Sequence, residues 1–130
     1  MSKIQSSVKV LLVSDLEQSK VYYSNVLGCD VTDFWAVRDD FALGFKLIQA
    51  NSPDDVSPNK AGQDQEVAWD TYAYIDTHTE LDELYEELKL KGAQFTQEPV
   101  LTEMGWGAWK EFAVSDPDNY VIGFGSGKKQ

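Results

Sequence analysis

The sequence predicts an α+β domain made of duplicated βαβββ modules that form a curved mixed sheet with a concave pocket. Three observations predict it. A strand, a capped helix and a glycine stop occur in the same order twice along the 130 residues. Each copy is followed by further β-branched and aromatic runs that read as strands. A stretch rich in Pro, Asp, Asn and Gly separates the copies.

The first module spans about residues 5–50. Val8 to Val13 is a β-branched apolar run, so it reads as a strand. Asp15 is a helix cap, and Gln18 three residues on completes a box-like pair. Tyr22, Tyr23, Val26 and Leu27 recur at helical spacing and read as helix core. Gly28 ends the helix where a left-handed residue is cheapest. A strand is expected from about Asp30 to Trp35, then a turn at Asp39-Asp40, then a strand over Phe41 to Ala50. Residues 51–67 form the linker. The second module, about 68–126, repeats the plan. Trp69 to Ile75 alternates as a strand, and Thr77 with Glu80 makes a capping box. Leu81, Leu84, Tyr85 and Leu88 make one apolar stripe. Gly92 closes the helix and a strand begins at Gln94. The last two strands flank the turn Asp116-Pro117-Asp118-Asn119.

Composition narrows the partners. A chain of this length buries about two-thirds of its unfolded surface and folds without staples. The formal charge is −11, with 22 acidic against 11 basic residues. Such a surface repels phosphate backbones and anionic lipid, so neither nucleic acid nor a membrane is an expected partner. A cationic small molecule is attracted to it. The lone cysteine, Cys29, excludes an internal disulfide and reads as a small packing residue. No apolar run approaches a membrane span, and the N-terminal residues lack a signal-peptide core. A cytoplasmic location is expected.

Two stretches carry a family resemblance. "LLVSDLEQSKVYYSNVLGCDV" and "WKEFAVSDPDNYVIGF", together with the duplication, resemble the vicinal oxygen chelate superfamily. Its members include glyoxalase I, extradiol dioxygenases, fosfomycin-resistance thiol transferases and bleomycin-binding resistance proteins. The second stretch departs once, with Asn119-Tyr120 where the family usually has Gly-Asn; Asn tolerates left-handed backbone, so the turn is expected to survive.

The resemblance implies, for catalytic members, a divalent ion held by His and Glu. Carried onto this chain, those positions fall on Val8, Asp70, Gly123 and either Lys46 or Leu47. One carboxylate does not hold a catalytic metal, so no metal and no other cofactor is expected. The only histidine, His78, stands at the start of the second helix and is expected to face solvent.

Strand alternation points Val8, Val10, Leu12, Asp70, Tyr72, Tyr74, Trp109 and Glu111 into the pocket, and packs Phe112 and Val114 on the helix side. Trp106 lies just before, and Phe34 or Trp35 lines the rim. The candidate ligand-binding set is therefore Trp35, Asp70, Tyr72, Tyr74, Trp106, Trp109 and Glu111, with no catalytic residue. Aromatic faces and carboxylates together suit a flat cation. The resemblance is closest to the bleomycin-binding branch, which implies a metal-free homodimer that sequesters a small cationic or aromatic compound, such as an antibiotic. Two alternatives stay open. One is a glyoxalase-like lyase or dioxygenase with a non-standard site using Glu111 or Glu103. The other is a non-catalytic dimerisation module whose aromatic residues only pack an interface.

Overall fold

A computed structural model describes residues 2–63 and 68–129. The last four residues of the expected linker, 64–67, lie outside the described residues. The chain divides into two compact units, Met1–Ser57 and Pro58–Gln130.

Unit 1 runs β1 (Lys9–Val13), α1 (Leu16–Asn25), β2 (Asp30–Thr32), β3 (Trp35–Arg38) and β4 (Leu43–Gln49). Its four-stranded sheet has the order β1-β4-β3-β2, with β1 parallel to β4 and the other pairs antiparallel. Helix α1 starts where expected, because the Asp15 carboxylate accepts from the Gln18 amide at 3.1 Å. It ends before Gly28, whose φ of 73° is the left-handed region that glycine enters without penalty. Leu11, Val13, Tyr23, Leu27, Ala36, Phe45 and Leu47 are buried as the core between sheet and helix. The Tyr23 ring packs on Phe45 at 4.8 Å, so the tyrosine pair is helix core on that side. Cys29 is buried too, and loss of water pushes its thiol up to about 11, with Arg38 opposing in part.

One expectation needs correction here. The run Asp30 to Trp35 is not a single strand. Asp33 adopts φ 53° and turns the chain, so β2 and β3 form a hairpin in which Thr32 pairs with Trp35. Asp39, Asp40 and Phe41 are also left-handed, which delays β4 to Leu43.

Unit 2 repeats the plan with β5 (Thr71–Tyr74), α2 (His78–Leu90), β6 (Gln94–Met104), β7 (Gly107–Ser115) and β8 (Val121–Ser126). The sheet order, β5-β8-β7-β6, is the same path in a second copy. The Thr77 hydroxyl accepts from the Glu80 amide at 3.1 Å and starts α2. Leu81, Leu84 and Leu88 are buried against Phe112, Val114, Ile122 and Phe124. The β7–β8 turn survives its departure from the family pattern, because Asn119 takes φ 70° and the Asp116 carboxylate accepts from the amides of Asp118 and Tyr120. Among the described residues, no helix is long and apolar enough to cross a membrane.

His78 is a second correction. It is 8% exposed rather than facing solvent. Its Nε2 lies 3.2 Å from the Ala108 carbonyl and 3.1 Å from the Ser126 carbonyl. Carbonyls only accept, so this nitrogen carries the proton and donates. The ring clasps the start of α2 to β7 and to the end of β8.

Candidate functional site

Six of the seven candidate residues lie in unit 2, and three of them join in one hydrogen-bonded cluster. Parallel pairing sets Tyr72 beside Gly123 and Tyr74 beside Gly125, while antiparallel pairing sets Glu111 beside Gly125 on its other side. Phe112 and Phe124 are in register and buried toward α2, so their neighbours in sequence point to the opposite face. On that face the Tyr72 hydroxyl donates to Glu111 Oε1 at 2.6 Å. The Trp109 indole N–H donates to the same oxygen at 2.8 Å and to the Tyr72 hydroxyl at 3.0 Å. Glu111 Oε2 accepts from the Gln97 amide at 3.0 Å. The carboxylate is therefore a fixed negative centre with donors on both oxygens. Burial, and then the bond to Glu111, hold the Tyr72 phenol well above the ordinary tyrosine range, so it stays an O–H donor.

Aromatic rings build a shelf around this centre. Tyr72 and Trp109 lie nearly parallel, at 22° and 6.4 Å between centroids. Tyr74 meets both rings, at 5.5 Å and 6.0 Å, and stays 79% exposed. Trp69 meets Tyr72 edge-on at 5.0 Å. The rings lie on β8 because it offers no side chains beneath them. A Cβ added at Gly123 would meet Trp69 Nε1 and Tyr72 Cδ2, each at 2.7 Å. One at Gly125 would collide with Tyr72 and Trp109. One at Gly127 would touch Trp106 at 2.9 Å and Trp109 at 3.0 Å. Trp106 thus joins the far end of the shelf, in the β6–β7 turn, and is 63% exposed.

Asp70 stands apart from the cluster. Its Oδ1 accepts from the Asn59 amide at 2.7 Å and its Oδ2 from the Val121 amide at 2.8 Å. Both oxygens serve to tie the chain before β5 to the start of β8. Trp35 belongs to unit 1, half-buried on β3, with Phe34 at 5.1 Å and the Lys46 ammonium 5.3 Å from its ring centroid.

Two shelf residues escaped the sequence reading. Alternation assigns Trp69 to the face opposite Tyr72, but β5 begins only at Thr71, so the period does not extend back to residue 69. Gln97 sits between two register shifts of β6, just before Pro99, and a bulge moves a side chain in a way period two does not anticipate. The proline was the available signal. Among the described residues, the buried Trp69 Nε1 and Gln97 Oε1 have no hydrogen-bond partner.

A family model, the Glyoxalase/Bleomycin resistance protein/Dioxygenase superfamily, matches residues 6–124. The chain belongs to this superfamily. Solved structures share the fold at low identity. A glyoxalase/bleomycin resistance protein/dioxygenase from Alicyclobacillus acidocaldarius is 16% identical with a TM-score of 0.69, covering 94% of this chain and 90% of that one. An integron cassette protein from the mobile metagenome of V. cholerae is 21% identical with a TM-score of 0.62, covering 97% of each chain. The genomically encoded fosfomycin resistance protein FosX from Listeria monocytogenes is 16% identical with a TM-score of 0.63, covering 98% of this chain and 95% of that one. No curated protein is a significant match to the chain.

The metal ion that the resemblance implies for catalytic superfamily members requires imidazole or carboxylate donors converging on one point. Among the described residues, no group of three or more His, Cys, Asp or Glu could hold one. Position 123 is glycine, and the space a side chain would take is filled by Trp69 and Tyr72. Val8 brings no donor, and its Cγ1 lies 2.7 Å from where a Cβ on Gly44 would stand. Of the two candidates on β4, Leu47 is in the core, which leaves Lys46, a cation. The residues at these positions do not fit a chelated divalent ion.

Proposed function

We propose that this superfamily member is a metal-free binding protein that sequesters a cationic or aromatic small molecule against the aromatic, acidic face of unit 2, working as a homodimer. The observation that carries the reading is the Glu111 carboxylate fixed inside a shelf of Trp69, Tyr72 and Trp109 over glycine-only backbone. Ring faces attract a cation or stack on a planar group, with about 0.5–2 kcal/mol for each contact. A carboxylate half-removed from water supplies the counter-charge. The partnerless Trp69 Nε1 and Gln97 Oε1 are of the kind a bound molecule or water satisfies. The resemblance to bleomycin-binding proteins supports a cationic glycopeptide as the first compound to try.

Titration of the intrinsic tryptophan fluorescence with a bleomycin-type compound tests this. Saturable quenching is expected, unchanged by prior treatment with a chelator. Trp109→Ala is expected to weaken binding by about tenfold or more, as loss of a buried aromatic anchor does. Absence of quenching, or an affinity that disappears with chelation, contradicts the proposal. A stoichiometric metal in protein purified without chelator contradicts it as well.

A further inference from the structure

We infer that the aromatic cluster of unit 2 is a one-electron redox relay, in which an oxidising equivalent taken up at Tyr74 or Trp106 comes to rest on Tyr72 while the phenol proton passes to Glu111. This activity goes beyond the binding reading and needs no bound molecule, so the two fail separately.

Indole and phenol rings give up an electron more readily than a phenyl ring, because the nitrogen or oxygen feeds lone-pair density into the π system. Three of the four tryptophans of the chain lie in this cluster with Tyr72 and Tyr74, so an oxidising equivalent collects here. Ring centroids are 5.0 Å apart for Trp69 and Tyr72, 5.5 Å for Tyr72 and Tyr74, 6.0 Å for Tyr74 and Trp109, and 6.4 Å for Tyr72 and Trp109. Trp106 and Trp109 come within 2.9 Å and 3.0 Å of the point where a Cβ on Gly127 would stand, so these rings are neighbours too. The electron therefore crosses in short steps between adjacent rings. Tyr74 and Trp106 are exposed to a reagent, whereas Trp69, Tyr72 and Trp109 are half-buried.

A phenol that loses an electron becomes strongly acidic, so the hole stays where the proton has an acceptor. Tyr72 has one in place, since its hydroxyl donates to Glu111 Oε1 at 2.6 Å, within reach for proton transfer. Burial and this same bond keep the phenol protonated until the electron leaves. The oxidant is a one-electron acceptor, such as a peroxyl radical or a photo-oxidised dye. It gains the electron that Tyr72 loses. The phenol O–H bond breaks and a new O–H bond forms on Glu111 Oε1, which leaves a neutral phenoxyl radical beside a neutral carboxylic acid. A half-buried site favours that uncharged pair. A thiolate resets the pair by giving one electron and becoming a thiyl radical, and the proton returns from Glu111 to Tyr72.

A carboxylate partner alone does not make a relay. Tyr85 donates to Glu98 at the same 2.6 Å, but its ring neighbours are Phe95 and Phe112, which do not pass an electron on. The Lys89 ammonium also lies 5.7 Å from the Tyr85 centroid, and a cation over the ring opposes loss of an electron.

The test photo-oxidises the whole protein with a ruthenium tris-bipyridyl dye and persulfate and reads the radical by electron paramagnetic resonance. A tyrosyl signal is expected. Tyr72→Phe is expected to remove it and leave a tryptophanyl signal, and Tyr85→Phe to leave it intact. Glu111→Gln keeps an acceptor oxygen for the phenol but not a base, and is expected to abolish the tyrosyl signal as well. Time-resolved absorption on the unmodified chain gives a second readout. Radical formation is expected to slow in heavy water and to be indifferent to buffer concentration, because Glu111 takes the proton. A tyrosyl signal that survives Tyr72→Phe or Glu111→Gln overturns the proposal. So does a rate that rises with buffer concentration or ignores heavy water. These last two readings need no variant, so the proposal remains testable if a substituted chain fails to fold.

Discussion

Gly123 shows how much one absent side chain can decide. In the resemblance it marks the place of a metal-binding glutamate, and here it is the floor on which Trp69 and Tyr72 rest. Its backbone needs no left-handed conformation, so the requirement for glycine comes from the rings above it. A methyl group at this position must displace an indole and a phenol that are themselves held, the phenol through Glu111. Overpacking of this kind costs about 1–3 kcal/mol. Gly123→Ala is therefore expected to lower the urea midpoint by a corresponding amount and to disturb the near-ultraviolet signal of the shelf tryptophans. An alanine variant with unaltered stability and unaltered tryptophan signal would show that the rings do not rest on this strand. The same substitution reads on ligand binding, because the shelf and the floor are one structure.

At the scale of elements, the parts of the fold set by local chemistry were legible and those set by tertiary packing were not. Asp15, Thr77, Gly28 and Gly92 announce their helix ends because each acts on backbone groups a few residues away. The faces of β7 were legible because period two requires only that the strand continue. Non-local effects escaped: the left-handed Asp33 that splits one expected strand into β2 and β3, and the carbonyls of Ala108 and Ser126 that draw His78 inside. Strand alternation points Asp70 into the pocket, and the geometry gives its carboxylate a job between elements. By accepting from the amides of Asn59 and Val121 it ties the approach to β5 onto β8. Asp70→Ala leaves both donors without this acceptor and is expected to cost about 1–3 kcal/mol in urea unfolding, with Asp70→Asn recovering part of it. If Asp70→Ala unfolds with the unmodified protein, the clamp contributes nothing and the carboxylate is free for another role.

At the scale of the whole molecule, the repetition of one βαβββ path in two sheets of identical order explains why a short chain matches a family model over almost its full length. The copies are not equivalent in what they leave uncovered. In unit 2 the long β6 continues past the body of the sheet into the β6–β7 turn, and this arm exposes apolar groups on both faces. Leu101 is 56% exposed and Met104 is 45% exposed, with Trp106 at the tip at 63%. Leu101 pairs with Lys110 on the face shared with α2, and Met104, three residues on, falls on the other face. Scattered apolar residues need no partner, but an arm apolar on both sides is difficult to keep in water. The proposed homodimer gives the arm a second copy to lie against. Sedimentation at micromolar concentration is expected to report twice the 14.6 kDa chain mass. Placing glutamate at both Leu101 and Met104 adds four charges to the paired arms and is expected to shift the species to the monomer, with the thermal midpoint of the monomer fold little changed. A monomeric unmodified protein removes the homodimer from the proposed function and leaves the aromatic shelf to act within a single chain. A dimer indifferent to both substitutions assigns the interface to some other surface.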